Sequence, residues 1–253
     1  VGKNLEVIQK EGTGRYGIII PVCNEAESLG EVLDELRATL PEGRFVLAVG
    51  VNDSHDGSEV VAASRGVMVG RTEQRGYGHG CVAAIEAMRQ AGEKVEGYIF
   101  YAGDGASRPG DVVALVQRFE ARGVPLVIGL RRFVLRTWWQ EFGRAVPNLI
   151  LGVAGLMLTG RFRHDLGPLR LIEGDFFQAL DLREMTWGWT IEAEVKASRM
   201  GVVAETIPVS ERPRLKGEQK VSGVSLGQSL RIGGQMLKAG IRARFCWGAG
   251  QKN

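Results

Sequence analysis

The run Tyr98-Ile-Phe-Tyr-Ala-Gly-Asp-Gly-Ala-Ser-Arg-Pro-Gly-Asp111 leads from an apolar strand onto a single carboxylate, Asp104, followed by a glycine and a helix start at Pro109-Gly110-Asp111. A carboxylate at the carboxyl end of a strand in an open α/β sheet points into the crevice where such folds bind ligands. Aspartate is also a hard oxygen ligand, suited to a divalent ion that carries phosphates. Asp-Gly is equally a turn dipeptide, so the segment alone fits a solvated turn as well as a ligand site.

Three further loops of the same kind precede it. The first strand ends in Pro21-Val-Cys-Asn-Glu25, the second in Asn52-Asp-Ser-His-Asp-Gly57, and the third is followed by Arg75-Gly-Tyr-Gly-His-Gly80. All four loops fall at the same edge of a parallel sheet. A nucleotide needs backbone approach near glycines, hydrogen bonds to base and ribose, and a cation for its phosphates, and these loops hold all three kinds of group. The loop from Arg75 to Gly80 precedes a helix, so its glycines are expected to let backbone N–H groups approach an anion or a base edge.

The elements that must position these loops alternate along the chain. Gly17–Val22, Phe45–Val51, Tyr98–Tyr101 and Pro125–Gly129 read as buried strands, each a continuous apolar run of the kind parallel sheets require. Ala26–Leu40, Gly57–Arg65, Gly78–Ala91 and Gly110–Arg122 read as helices, the first with Leu29, Val32, Leu33, Leu36 and Leu40 along one stripe. Strand and helix in repetition predict an α/β fold with a mostly parallel, doubly wound sheet and right-handed crossovers. Beyond Arg132 the pattern changes. A longer apolar helix is expected over Thr137–Thr159, beginning at Trp138 and Trp139, with Pro147 placed to kink it. A strand-like run Gly167–Ile172, helices near Asp175–Leu180 and Trp189–Met200, a strand Val202–Val209 and a helix Ser222–Arg244 follow.

Composition narrows the function classes. Lys and Arg number 32 against 29 Asp and Glu, a balance that argues against nucleic acid as the main partner. The basic residues are unevenly placed, with Arg212, Arg214, Lys216 and Lys220 close together and Arg231, Lys238, Arg242 and Arg244 near the chain end. Cys23, Cys81 and Cys246 are widely spaced with no metal-thiolate pattern, which fits a reducing, cytoplasmic setting better than a disulfide framework. No basic segment followed by an apolar core opens the chain, so no signal peptide is expected. The longest apolar stretch, Val146–Leu158, is interrupted by Pro147 and Asn148 and falls well short of the about 20 residues of a membrane-spanning helix. His55, His79 and His164 have no paired ligand spacing and read as ordinary polar contacts.

Ile18-Ile-Ile-Pro-Val-Cys-Asn-Glu25, Asp56-Gly-Ser58, Gly76-Tyr-Gly-His-Gly80 and Asp104-Gly105 resemble, in order and spacing, the family 2 glycosyltransferases of GT-A fold. In the second half, Asp165-Leu-Gly-Pro-Leu-Arg170, Trp187-Gly-Trp-Thr-Ile-Glu192 and the basic stretch ending Lys220-Val-Ser-Gly223 are similar to acceptor-side motifs of the branch that acts on polyprenyl phosphates, the dolichyl-phosphate mannose synthase type. The likeness covers about residues 16 to 242. It implies one GT-A domain over 1–253, with a nucleotide-sugar half at 16–132 and an acceptor-side half at 133–244.

The resemblance implies inverting transfer of a sugar from a nucleotide diphosphate donor. Pro21, Val22, Asn24 and Glu25 would shape the base and ribose pocket, with Asn52, Asp53, Asp56 and the glycines 76, 78 and 80 helping to hold the nucleoside. Asp104 would hold Mg²⁺ or Mn²⁺ on the diphosphate. Glu192 would be the general base or an orienting carboxylate, with Asp165 beside it as a second catalytic candidate. Arg131, Arg170, Trp187, Trp189, Arg212, Arg214 and Lys220 would receive the acceptor. That acceptor is expected to be a polyprenyl phosphate met at the cytosolic face of a membrane, with peripheral contact through the Trp138 region and the basic C-terminal part, or else a small soluble molecule.

Two departures fall on the donor side. The family's usual Asp-x-Asp reads Ala102-Gly-Asp104, without its first carboxylate, and the second-strand signature Val51-Asn-Asp-Ser-His-Asp-Gly57 is shortened or displaced by one residue. Three outcomes follow: a metal site working with one carboxylate, donor binding of altered geometry, or a nucleotide-sugar binding protein without turnover.

Overall fold

The computed structural model describes residues 14–131, 155–156, 158–160, 165, 167–216 and 226–247, with 226–230 described by backbone alone. Trp138, Trp139, His164 and Lys220 lie outside these residues, as does the expected helix over 137–159 apart from 155–156 and 158–159, which are helical.

Seven strands form one sheet in the order β3-β2-β1-β4-β6-β5-β7. They are β1 (Tyr16–Val22), β2 (Phe45–Asn52), β3 (Met68–Thr72), β4 (Gly97–Phe100), β5 (Leu126–Arg131), β6 (Arg170–Glu173) and β7 (Glu205–Val209). The described helices are α1 (Ala26–Thr39), α2 (Ser58–Ser64), α3 (Tyr77–Gln90), α4 (Pro109–Arg122), α5 (Gly174–Leu180), α6 (Trp189–Arg199) and α7 (Leu226–Phe245). Successive side chains of a strand face opposite ways, so the apolar run of β1 feeds two cores. Ile18, Ile20 and Val22 join Leu29, Leu33, Leu36, Val112 and Leu115 of α1 and α4. Ile19 instead joins Cys81, Ala84, Phe176, Trp189 and Ala193 of α3, α5 and α6. Helices thus cover both faces, the doubly wound arrangement that the alternating pattern predicts.

The ends of α4 follow its local chemistry. Pro109 stands in the first turn and Asp111 adds negative charge there, while Gly123 takes the left-handed conformation (φ 59°) at the C-cap. Three elements differ from expectation. β3 has no continuous apolar run because it is an edge strand, only half-buried, with Arg71 facing out. β6 runs antiparallel to both β4 and β5, opposite Ile99 and Val127 at Leu171, so one reversed strand stands inside an otherwise parallel sheet. The final strand begins at Glu205 rather than Val202.

Sheet order places the topological switch point beside β1, which pairs with β2 on one side and β4 on the other. The crevice opens between the carboxyl ends of β1 and β4, where Glu25 and Asp104 follow their strands. α3 lies unusually close to the sheet on the other face: a Cβ built on Gly50 would sit 1.8 Å from the Gly80 carbonyl oxygen. Leu158, Ile191, Val195, Ala239 and Ala243 form a separate apolar cluster that fastens α7 to α6. Among the described residues no helix is long and apolar enough to cross a membrane.

Candidate donor site at the switch point

The loops after β1 and β2 clasp each other. Asn24 (φ 54°) and Asp53 (φ 45°) both take left-handed backbone, a conformation asparagine and aspartate tolerate. The Asn24 N–H donates to Ser54 Oγ at 2.9 Å, and the His55 N–H donates to Asn24 Oδ1 at 2.8 Å. Asp56 accepts the Ala26 N–H at 2.7 Å, the Ser58 N–H at 3.0 Å and the Ser58 hydroxyl at 2.6 Å. Burial alone would raise the Asp56 carboxyl, but these donors outweigh it and hold the group below its ordinary value. Asp56, though exposed, therefore has both carboxylate oxygens engaged in tying the starts of α1 and α2, whereas the half-buried Asp53 faces His55 Nε2 at 3.4 Å.

Asn52 is buried and joins three segments. Its Nδ2 donates to the Val22 carbonyl at 2.9 Å, and its Oδ1 accepts the Gly76 N–H at 3.3 Å. The glycines of the third loop prove to serve packing. The Gly78 N–H donates to the Met185 carbonyl at 2.9 Å and the Gly80 N–H to the Gly76 carbonyl at 3.2 Å, so with Gly76 bonded to Asn52 all three N–H groups are spent inside the protein. A Cβ at Gly78 would meet Trp189 at 2.5 Å, and one at Gly80 would meet Asn52 Nδ2 at 2.7 Å and Pro21 Cβ at 2.9 Å. The expected approach of these N–H groups to an anion is corrected accordingly: the glycines let α3 and the Met185 loop close on the sheet.

Asp104 sits in the turn after β4. Its Oδ1 accepts the Ala106 N–H at 3.0 Å, and its Oδ2 faces Arg214 Nη1 at 3.6 Å. The other Arg214 terminal nitrogen is ion-paired with Glu25 across the crevice. The segment carrying Arg214 is strapped over the Asp104 turn. Arg212 donates its N–H to the Ala106 carbonyl at 3.0 Å, Leu215 donates its N–H to the Asp104 carbonyl at 3.1 Å, and Ser107 bridges to Glu211. Arg212 itself turns aside, its Nε on the Gly105 carbonyl and its guanidinium on Glu35, whose carboxyl it holds below the ordinary range.

Several acceptor-side expectations resolve differently. Arg170 is fully buried, donating to the Gly167 and Thr190 carbonyls at 2.8 and 3.2 Å and lying 3.5 Å from Glu194, so it holds β6 to α6 rather than facing an acceptor. Trp189 is a core ring against Phe100 and Phe177, whereas Trp187 is exposed. Arg131 gives its backbone N–H, Nε and Nη2 to Asp165 at 3.1, 3.0 and 2.6 Å, with Nη1 on Glu211 at 3.1 Å. Burial would raise the Asp165 carboxyl, but the Arg131 bonds and charge, with a backbone bond from Gly167, outweigh it and hold it low. A carboxylate so filled has no lone pair for proton abstraction.

Glu192 is buried too. Its Oε2 accepts the Arg183 and Glu184 N–H groups at 3.0 and 2.7 Å, and its Oε1 pairs with Lys196 at 2.9 Å. Of the two roles open to it, orienting carboxylate is the one these bonds support. It fixes the loop whose Met185 carbonyl receives Gly78, a contact made by backbone and invisible in residue types.

Among the described residues no group of three or more His, Cys, Asp or Glu is placed to hold a metal ion. The donor set at Asp104 is one partly exposed carboxylate. That suits an ion such as Mg²⁺, which keeps waters and takes one or two carboxylates beside substrate phosphates, and does not suit an all-protein cage.

A mostly parallel, doubly wound sheet, with carboxylate-bearing loops at the switch point and an antiparallel strand beside β4, defines the GT-A class of transferase fold. The chain belongs to glycosyl transferase family 2, whose model matches residues 17–163, and is a glycosyltransferase. It is 30% identical to an uncharacterised glycosyltransferase of Mycobacterium tuberculosis over 222 residues, covering 85% of this chain and 93% of that one. It is 27% identical to the undecaprenyl-phosphate mannosyltransferase of Micrococcus luteus over 248 residues, covering 90% and 97%. Glucosyl-3-phosphoglycerate synthase of Mycobacterium tuberculosis, solved with Mg²⁺ and uridine diphosphate, superposes with a TM-score of 0.68 at 16% identity, covering 92% of this chain and 80% of that one.

Proposed function

We propose that the protein transfers a sugar from a nucleotide diphosphate donor to a polyprenyl phosphate, with inversion at the anomeric carbon. The observation that carries the donor half is the position of Asp104, a partly exposed carboxylate at the switch point opposite Glu25. Near-full-length likeness to an undecaprenyl-phosphate mannosyltransferase supports the acceptor half. In the reaction, a phosphate oxygen of the acceptor forms a bond to the anomeric carbon from the face opposite the nucleotide. The bond from that carbon to the diphosphate breaks, and the nucleoside diphosphate leaves with the electron pair. The acceptor phosphate is already anionic near neutral pH, so no side chain need remove a proton, in keeping with the saturated carboxylates of Asp165 and Glu192. A divalent ion on Asp104 would neutralise charge on the leaving diphosphate. On this reading Asp53 and Asn24 would line the nucleoside side, and the exposed Trp187 would meet the acceptor. Leu237, Ile241 and Phe245, exposed along α7 between Lys238, Arg242 and Arg244, suit peripheral contact with an anionic membrane.

The test is transfer from UDP-, GDP- and dTDP-sugars to undecaprenyl phosphate in vesicles, with Mn²⁺ or chelator, for wild type and Asp104→Asn. Lipid-linked product that falls at least tenfold in the variant is expected. Product formed only on water-soluble acceptors would refute the acceptor assignment, and an unaffected Asp104→Asn would refute the site.

A further inference from the structure

Arg214 belongs by sequence to a basic stretch facing the acceptor, yet it lies on the donor carboxylates. Its guanidinium spans the crevice at the switch point, paired with Glu25 after β1 and 3.6 Å from Asp104 after β4. The two backbone bonds that bracket it, from Arg212 to Ala106 and from Leu215 to Asp104, tie its main chain to the Asp104 turn itself. Leu215 packs over Gly105 so closely that a Cβ there would meet it at 2.5 Å. Arg214 is mostly buried, and its Nε is buried with no hydrogen-bond partner among the described residues, a donor not yet used. Two residues before Asp104 stands Ala102, where an Asp-x-Asp site has its first carboxylate.

Electrostatics links these facts. A diphosphate entering between Glu25 and Asp104 meets two like charges, and a single-carboxylate site holds an ion less firmly than a paired one. A guanidinium offers a fixed fork of donors matched to phosphate oxygens. Building on the donor site proposed above, we infer that Arg214 is a donor-side residue: its guanidinium turns from Glu25 and Asp104 onto the donor diphosphate, supplying charge that the missing first carboxylate would otherwise recruit as metal. Donor binding in this chain therefore depends less on a divalent ion than an Asp-x-Asp site does, and the Arg214 side chain must exchange partners for each donor bound.

The experiment is equilibrium binding of UDP and of GDP by calorimetry, in Mn²⁺ and in chelator, to wild type, Arg214→Met and Ala102→Asp, with melting curves of the unliganded proteins as a fold check. For whichever nucleotide binds, wild type is expected to keep its affinity within about tenfold on chelation, and Arg214→Met to bind roughly tenfold or more weakly in chelator, the loss of one charge-assisted interaction. Ala102→Asp is expected to make binding metal-dependent, weak in chelator and restored by Mn²⁺. It reads the same question should Arg214→Met fail to fold. Wild-type binding abolished by chelator, or unchanged metal dependence in Ala102→Asp, overturns the inference while leaving the donor site standing. No binding of either nucleotide in any condition overturns the donor site and the inference together.

Discussion

Asp165→Ala separates two roles that residue type alone leaves joined. Asp165 is almost wholly buried, at 7% side-chain exposure, and takes three N–H donors from Arg131, whose side chain is 40% exposed. Removing one partner of a fully buried ion pair costs about 3–5 kcal/mol. Here the stranded guanidinium can turn to Glu211 and to water, which discounts the loss, while the Arg131 backbone N–H at the end of β5 is left without its acceptor. The net expectation is about 2–3 kcal/mol, which for a chain of this size lowers the melting temperature by roughly 4–12 °C. Asp165→Asn, keeping one acceptor oxygen, should lose less. The assay is urea unfolding of Asp165→Ala, Arg131→Met and the double variant, alongside turnover. A coupling energy above about 1 kcal/mol, with turnover per folded molecule retained within a few-fold, is the expected outcome. Full stability combined with abolished turnover would refute the reasoning and return Asp165 to the reaction.

The same carboxyl predicts a pH dependence. Its folded-state value lies below the ordinary 3.8, so the unfolded chain binds the proton more readily. The stability it lends is complete above that value and is lost as pH falls through the folded one; urea midpoints of wild type and Asp165→Asn should converge on acidification. Gly78→Ala forces a methyl against Trp189 and Met185, and should cost about 1–3 kcal/mol and weaken nucleotide binding by opening the loop, read by melting curves with and without nucleotide. Trp189→Ala should cost about 3–5 kcal/mol, whereas Trp187→Ala should leave the melting temperature nearly unchanged and raise the acceptor KM. Ile241→Glu with Phe245→Glu should lower sedimentation with anionic vesicles while sparing transfer to a detergent-dispersed acceptor.

The donor half was legible because its signals are local. Apolar runs of β1, β2 and β4 end abruptly in Asn, Asp, Glu and Gly, and a parallel sheet gathers such ends along one edge. What could not be read is which of those groups the protein uses on itself. Asp53 and Asp56 look alike in a string of letters, yet one faces His55 and the other, although exposed, is consumed by the N–H groups of two helix starts. The glycines of residues 76–80 suggest room for a ligand, whereas their space is filled by Met185 and Trp189, distant in sequence. Arg170 departs from expectation, and the choice between base and orienting carboxylate at Glu192 stays open in the sequence, for a related reason: a buried charge is recognisable only through its partners, here carbonyls, backbone N–H groups and Lys196. The reversed direction of β6 has no residue signature, because pairing direction depends on how the preceding connection returns to the sheet.

The strap from Ser210 to Leu215 is bonded to the Asp104–Ser107 turn through Glu211, Arg212 and Leu215, and Ser210 donates to Asp111 at 3.1 Å. Such a seam makes chain length a functional variable. One residue inserted between Ser210 and Glu211 would shift the bonds of Glu211, Arg212 and Leu215 together and carry the guanidinium past its carboxylates, although no side chain had been replaced. In this segment the register of the backbone seam, more than the residue types along it, sets where the guanidinium falls.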